Sequence, residues 1–214
     1  MICNSLKECI EKTHHMEPTE KKRRRNGKQT SASGQKERSI YEQPLGNSPC
    51  CNESLQKGCI EFLDCRPQAA CHENGKSYIL NQSQEYPRHE IIMLHIDSGV
   101  ITNPEADSVN KCDYVILVKD RDKNGKRKNT AILIELKGKA VLHALKQLIA
   151  TLNQPEFQPA WNDCARVFGR IVCKASVLRI RSNDDFIAAK EAFLLRGGNL
   201  EIGEDSYTEE YGKL

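Results

Sequence analysis

The sequence has no apolar run long enough to cross a membrane. Its longest stretches, such as Tyr114-Val-Ile-Leu-Val118, are far shorter than the ~20 residues a helical span needs. No secretory leader is expected, because Met1-Ile-Cys-Asn-Ser-Leu-Lys-Glu-Cys-Ile10 breaks into charge at once. Aromatic residues are few, at 6%, and hydrophobic residues reach only 38%. Despite ten cysteines there is no Cys-x-x-Cys pair anywhere. These absences argue against a membrane protein and a secreted precursor. They point to a soluble, cytoplasmic chain of 214 residues, long enough for one α/β domain with a core and one appendage.

Charge is distributed unevenly. The formal net charge is +3, yet residues 1–40 hold ten Lys/Arg against five Asp/Glu, leaving the rest slightly acidic. Any basic surface must therefore be local. Residues 1–49 read as a mobile basic N-terminal extension. The run Glu20-Lys-Lys-Arg-Arg-Arg-Asn-Gly-Lys28 and the segment Thr30-Ser-Ala-Ser-Gly34 bury too little apolar area to offset chain ordering. The Lys21–Arg25 block suits phosphate contacts or an import signal, and equally suits plain solvation.

Residues 50–214 form the expected domain, with a core at about 76–203. Its first part is rich in cysteine: Cys50, Cys51, Cys59, Cys65 and Cys71, followed by His72. Zinc ligands come in closely spaced pairs, and these gaps do not provide them, so reduced thiols are expected over structural zinc or disulfides. Leu55, Cys59, Phe62 and Leu63 fall at helical spacing and predict a helix over Glu53–Leu63.

Regular patterning begins at residue 76. Strands are predicted at Glu90–Asp97, Cys112–Val118 and Thr130–Leu136, the last two joined by a hairpin loop with Asn124-Gly125 at its tip. A helix follows from Lys139 to about Leu152, with Val141, Leu145, Leu148, Ile149 and Leu152 as its buried stripe. A Pro-rich loop, a strand at Arg170–Arg181, a helix at about Asp184–Leu195 and a strand near Leu200–Ile202 complete the series. The fold class is α/β, a mixed sheet flanked by helices.

Three charged residues meet at one edge of that sheet. Asp113 opens one strand, while Glu135 and Lys137 lie two apart near the end of its hairpin partner and share a face. Two carboxylates and the Leu136 carbonyl offer hard oxygen ligands for Mg²⁺, with Mn²⁺ as a substitute. Lys137 can orient an attacking water or stabilise charge on phosphorus. Charged residues at strand ends are common, so spacing alone leaves a purely structural reading open.

The segments Lys111-Cys-Asp-Tyr-Val-Ile-Leu117 and Ile134-Glu-Leu-Lys-Gly-Lys139 resemble the core of the PD-(D/E)xK nuclease superfamily, which has the restriction-endonuclease-like fold. The resemblance covers residues 90–155 well and 170–202 loosely. It implies Asp113 and Glu135 as metal ligands, Lys137 as catalytic lysine and Gln147 as an accessory substrate contact. Cys112 stands where the family name has proline. An upstream acidic ligand is open among Glu53, Glu61, Glu85 and Glu90. The iron–sulfur cluster of some relatives needs a cysteine trio after the core, and only Cys164 and Cys173 follow it here.

Lys139, His143 and Gln147 recur at four-residue steps and form a polar stripe beside the expected site. With Lys126, Arg127 and Lys128 of the basic hairpin, Lys139 and His143 are the candidate nucleic-acid contacts. Asp97 reads as a turn cap or a site residue. The implied activity is Mg²⁺-dependent hydrolysis of DNA, with RNA as the other option, in a prokaryotic restriction or anti-phage defence system. A protein partner for targeting and a homodimer fit this picture. Two other classes stand beside it: a nuclease-fold module that binds nucleic acid or protein without catalysis, and a zinc-stabilised interaction protein.

Overall fold

A computed structural model describes residues 60–85, 87–97, 110–120, 125, 128–138, 140–174 and 180–214. The basic extension and Cys50, Cys51 and Cys59 lie outside the described residues. Among these described residues nine strands and three α-helices follow in order: β1 (Ile60–Asp64), β2 (Gln68–Glu73), β3 (Lys76–Asn81), β4 (Glu90–His95), β5 (Tyr114–Lys119), β6 (Asn129–Leu136), α1 (Val141–Asn153), α2 (Gln158–Asn162), β7 (Cys164–Cys173), α3 (Asp184–Leu194), β8 (Leu200–Glu204) and β9 (Ser206–Glu210). The protein is thus a mixed α/β structure. No helix among the described residues is long and apolar enough to cross a membrane.

Six strands form the main sheet in the order β1-β4-β5-β6-β7-β8. The first four pair antiparallel, and β6, β7 and β8 pair parallel. Parallel neighbours need long crossovers, which α1 with α2 and then α3 supply. A second sheet, β2-β3-β9, combines an antiparallel pair with a parallel one.

Strand alternation sends each face of the main sheet to a different layer. Val115, Leu117, Ala131, Leu133, Val167 and Ile171 join Leu145, Leu148, Trp161 and Phe193 on the helical side. Ile116, Val118, Ile132, Ile134, Phe168 and Val172 join Ala69, Cys71, Tyr78 and Leu80 beneath the small sheet. With both faces covered, β5 and β6 are apolar nearly throughout, as buried central strands require.

Three expectations are corrected. Residues Ile60–Asp64, partly inside the predicted Glu53–Leu63 helix, form strand β1 paired with β4, while residues 53–59 lie outside the described set. The strand predicted at Arg170–Arg181 runs instead from Cys164 to Cys173. Arg166 and Arg170 disguise it, because Arg170 is fully buried and its charge is met by Glu209 at 2.7 Å. The regular part also begins well before residue 76, with β1 and the β2–β3 hairpin.

Candidate functional site

The β5–β6 pairing ends with Tyr114 opposite Ile134. One step further along the same antiparallel register brings Asp113 opposite Glu135. The two carboxylates thus meet at one end of the central strands, Asp113 just before β5 and Glu135 in β6. Both are buried: Asp113 is 3% exposed and Glu135 is 0% exposed. Burial of charge in this way is costly unless a partner compensates it.

Each carboxylate has a different partner. Asp113 Oδ2 accepts a hydrogen bond from the Leu136 backbone amide at 2.6 Å. The Lys137 ammonium stands 2.8 Å from Glu135 Oε1 as an ion pair. Glu135 Oε2, buried beside it, has no hydrogen-bond donor. Lys137 remains partly open, with 29% of its side chain exposed. The strand end is held from the other side too, since the Lys137 amide donates to Val172 O at 2.8 Å.

The electrostatics follow from this crowding. Burial pushes the Asp113 carboxyl up to about 7; the Leu136 amide opposes this, and Glu73 and Asp97 add to it. Burial likewise raises Glu135 to about 8, with Asp113 adding to the shift and Lys137 opposing it. For Lys137, burial works against the charge, but contact with Glu135 outweighs it and raises the ammonium above its ordinary range. Lys137 is therefore held protonated, while the two acids compete for one lysine's charge.

This donor set fits a hard divalent cation. Two buried carboxylates lie side by side, and Glu135 Oε2 has no hydrogen-bond donor. Among the described residues no group of three or more His, Cys, Asp or Glu side chains is gathered for a metal. Mg²⁺ tolerates such a sparse set, because it commonly takes one or two carboxylates and fills the rest with water and phosphate oxygens. Leu136 donates its amide proton to Asp113 and pairs with Val172 of β7.

The remaining candidates are dispersed. Gln147 is buried on α1, and its Nε2 donates to Lys111 O at 2.8 Å. His143 and Lys128 are exposed. Lys126, Arg127 and Lys139 lie outside the described residues. Asp97 pairs with Lys111 at 3.1 Å. Among the proposed upstream acids, Glu61 sits 3.5 Å from His95. Glu90 pairs with Lys119 at the opposite end of the β4–β5 ladder. Glu85 faces His89 at 3.9 Å, and His89 in turn meets Asp120 just beyond that same end. Glu53 lies outside the described residues.

Sequence reading missed Glu73. It ends β2, and its charge acts on Asp113, Glu135 and Lys137 together. The available signal was Asn74-Gly75, both at positive φ, the dipeptide of a tight hairpin turn. That turn lies between β2 and β3 and brings Glu73 toward these strand ends from the second sheet. Cys71, Cys112 and Cys164 are thiols with pKa values raised by burial, and no sulfur–metal cluster forms among the described residues. Comparison with protein-family models, with curated proteins and with solved structures finds no match to this chain.

Proposed function

We propose that the protein is a Mg²⁺-dependent nuclease that hydrolyses phosphodiester bonds in DNA. The observation that carries this reading is the pair of buried carboxylates, Asp113 just before β5 and Glu135 near the end of β6, with Lys137 one residue beyond that strand. A purely structural role would favour apolar residues here, because two like charges in a dry layer oppose folding. The sequence resemblance to the PD-(D/E)xK core falls on these same three residues. A hairpin continuing into a parallel strand through a helix is also in keeping with a restriction-endonuclease-like fold.

Asp113 and Glu135 would hold the cation, with Leu136 O as a further oxygen donor. Bound there, Mg²⁺ would acidify a coordinated water and neutralise charge on the scissile phosphate. Because Glu135 keeps Lys137 protonated, the lysine serves as an electrostatic donor toward the phosphate or the attacking water, not as a proton acceptor. The Leu136 amide fixes the Asp113 carboxylate in place before substrate arrives. Exposed His143, and exposed Lys128 at the opposite end of β6, would be the contacts to backbone phosphates, with a salt-dependent contribution to affinity.

The test is cleavage of supercoiled plasmid, linear duplex and single strands with Mg²⁺ or Mn²⁺ against EDTA. Metal-dependent cutting supports the nuclease. Binding without cutting of any substrate supports instead a nuclease-fold module that has lost catalysis.

A further inference from the structure

Helix α1 holds a single peptide bond of the strand that carries Asp113. Gln147 Nε2 donates to Lys111 O at 2.8 Å, and Thr151 Oγ1 accepts from the Cys112 amide at 2.8 Å. The Lys111 carbonyl and the Cys112 amide are the two polar groups of one peptide plane. Gln147 and Thr151 lie four residues apart on α1, so both face the same side of the helix. Thr151 also donates to Gln147 O at 3.0 Å, which fixes its hydroxyl with one lone pair aimed at Cys112. Both side chains are buried, Thr151 at 2% exposure and Gln147 at 8%.

Asp113 is the next residue, and other bonds hold it as well. Its carbonyl accepts from the Ile96 amide at 2.8 Å, and its carboxylate accepts from the Leu136 amide. Strand β5 is counted only from Tyr114, so Lys111 and Cys112 precede the regular ladder. Gln147 and Thr151 together hold both polar groups of the peptide plane one bond ahead of Asp113. A buried amide or carbonyl that loses its hydrogen bond destabilises the arrangement.

We infer that Gln147 and Thr151 form a clamp on the Lys111–Cys112 peptide that positions the Asp113 carboxylate for the site. Gln147 is then a positioning residue acting through backbone, and Thr151 is its partner. The inference rests on the nuclease reading for its catalytic consequence, but its geometric content stands apart from it. The clamp ties helix to strand at the point where an acidic side chain must be held to within a fraction of an ångström.

The experiment compares full-length wild type with Thr151→Val, Thr151→Ser and Gln147→Met. The first readout is the proton chemical shift of the Leu136 amide without metal, since a short bond to a carboxylate moves that proton far downfield. Plasmid cleavage in Mg²⁺ is the second, resolved into kcat and KM. Thr151→Val and Gln147→Met should move the Leu136 signal upfield and lower kcat roughly 10- to 100-fold with KM little changed. Thr151→Ser, which keeps the hydroxyl, should retain both. An unmoved Leu136 signal in Thr151→Val, or equal damage from serine and valine, would overturn the clamp. Should Thr151→Val fail to fold, Gln147→Met decides by the same amide. If wild type cuts nothing, the nuclease reading fails, while the Leu136 shift still decides whether α1 positions Asp113.

Discussion

The Asp113 carboxylate accepts a 2.6 Å hydrogen bond from the backbone amide of Leu136, a residue on the neighbouring strand between Glu135 and Lys137. Side chain and backbone thus lock the β5 and β6 ends together where the three charged groups meet. Asp113→Asn keeps an oxygen for that amide and removes the charge. It should therefore fold as well as wild type, and better above neutral pH, while cleavage falls at least roughly 100-fold. Circular dichroism melts and plasmid cleavage measured on one preparation check both halves.

Stability of the metal-free protein should fall as pH rises. Asp113 and Glu135 are raised from 3.8 and 4.5 to about 7 and about 8. Between those limits the folded state retains protons that the unfolded chain has released, so stability drops through that window and levels off above it. Glu135→Gln removes one of the two groups and should flatten the profile, gaining on the order of 2 kcal/mol at pH 8.5, or roughly 4–8 °C. Millimolar Mg²⁺ should raise the wild-type midpoint at pH 8.5 and leave it nearly unchanged at pH 5. Melts at the two pH values, with and without Mg²⁺, test this; a flat profile for the wild type would count against it.

Arg170 joins the two sheets. It is fully buried, pairs with Glu209 of β9 at 2.7 Å, and bonds Asn199 Oδ1 at 2.8 Å and Gly169 O at 2.8 Å. Tyr78 of β3 donates to the same Glu209 oxygen at 2.7 Å. Arg170→Ala strands that carboxylate and should cost about 3–5 kcal/mol. Urea unfolding of Arg170→Ala and of the double variant with Glu209→Leu measures it, and the double variant should be less damaged than the single.

Two glycines should respond in opposite degree to alanine. A Cβ on Gly198 would lie 2.0 Å from Val167 O, a backbone atom that cannot swing away. Gly75 meets nothing within 4 Å, and its φ of +69 is the only obstacle. Gly198→Ala should cost roughly 3 kcal/mol or more, and Gly75→Ala about 1 kcal/mol. Denaturant midpoints for the two variants give the comparison directly.

Strands β4, β5 and β6 and helices α1 and α3 were legible because their apolar residues are strong and periodic. The meeting of Asp113 with Glu135 and Lys137 followed from the hairpin alone. Strands β2 and β3 were not legible, because their inward positions include Ala69, Cys71 and Lys76, which do not stand out as core. Lys76 is buried against Asp205 at 3.0 Å, a pairing between residues 129 apart in sequence. Glu73 was hidden for the same reason, since it reaches the site from the second sheet. Gln147 was visible as part of a polar stripe, but its bond to Lys111 O depends on how α1 lies across the strand, which spacing does not convey.

The most direct measurement is single-turnover cleavage of supercoiled plasmid by wild type and Lys137→Ala at saturating Mg²⁺, with EDTA as the blank. The account predicts metal-dependent cutting by wild type and a loss of at least roughly 100-fold in the variant, with binding retained. Equal cutting by both proteins, or cutting that persists in EDTA, would contradict it.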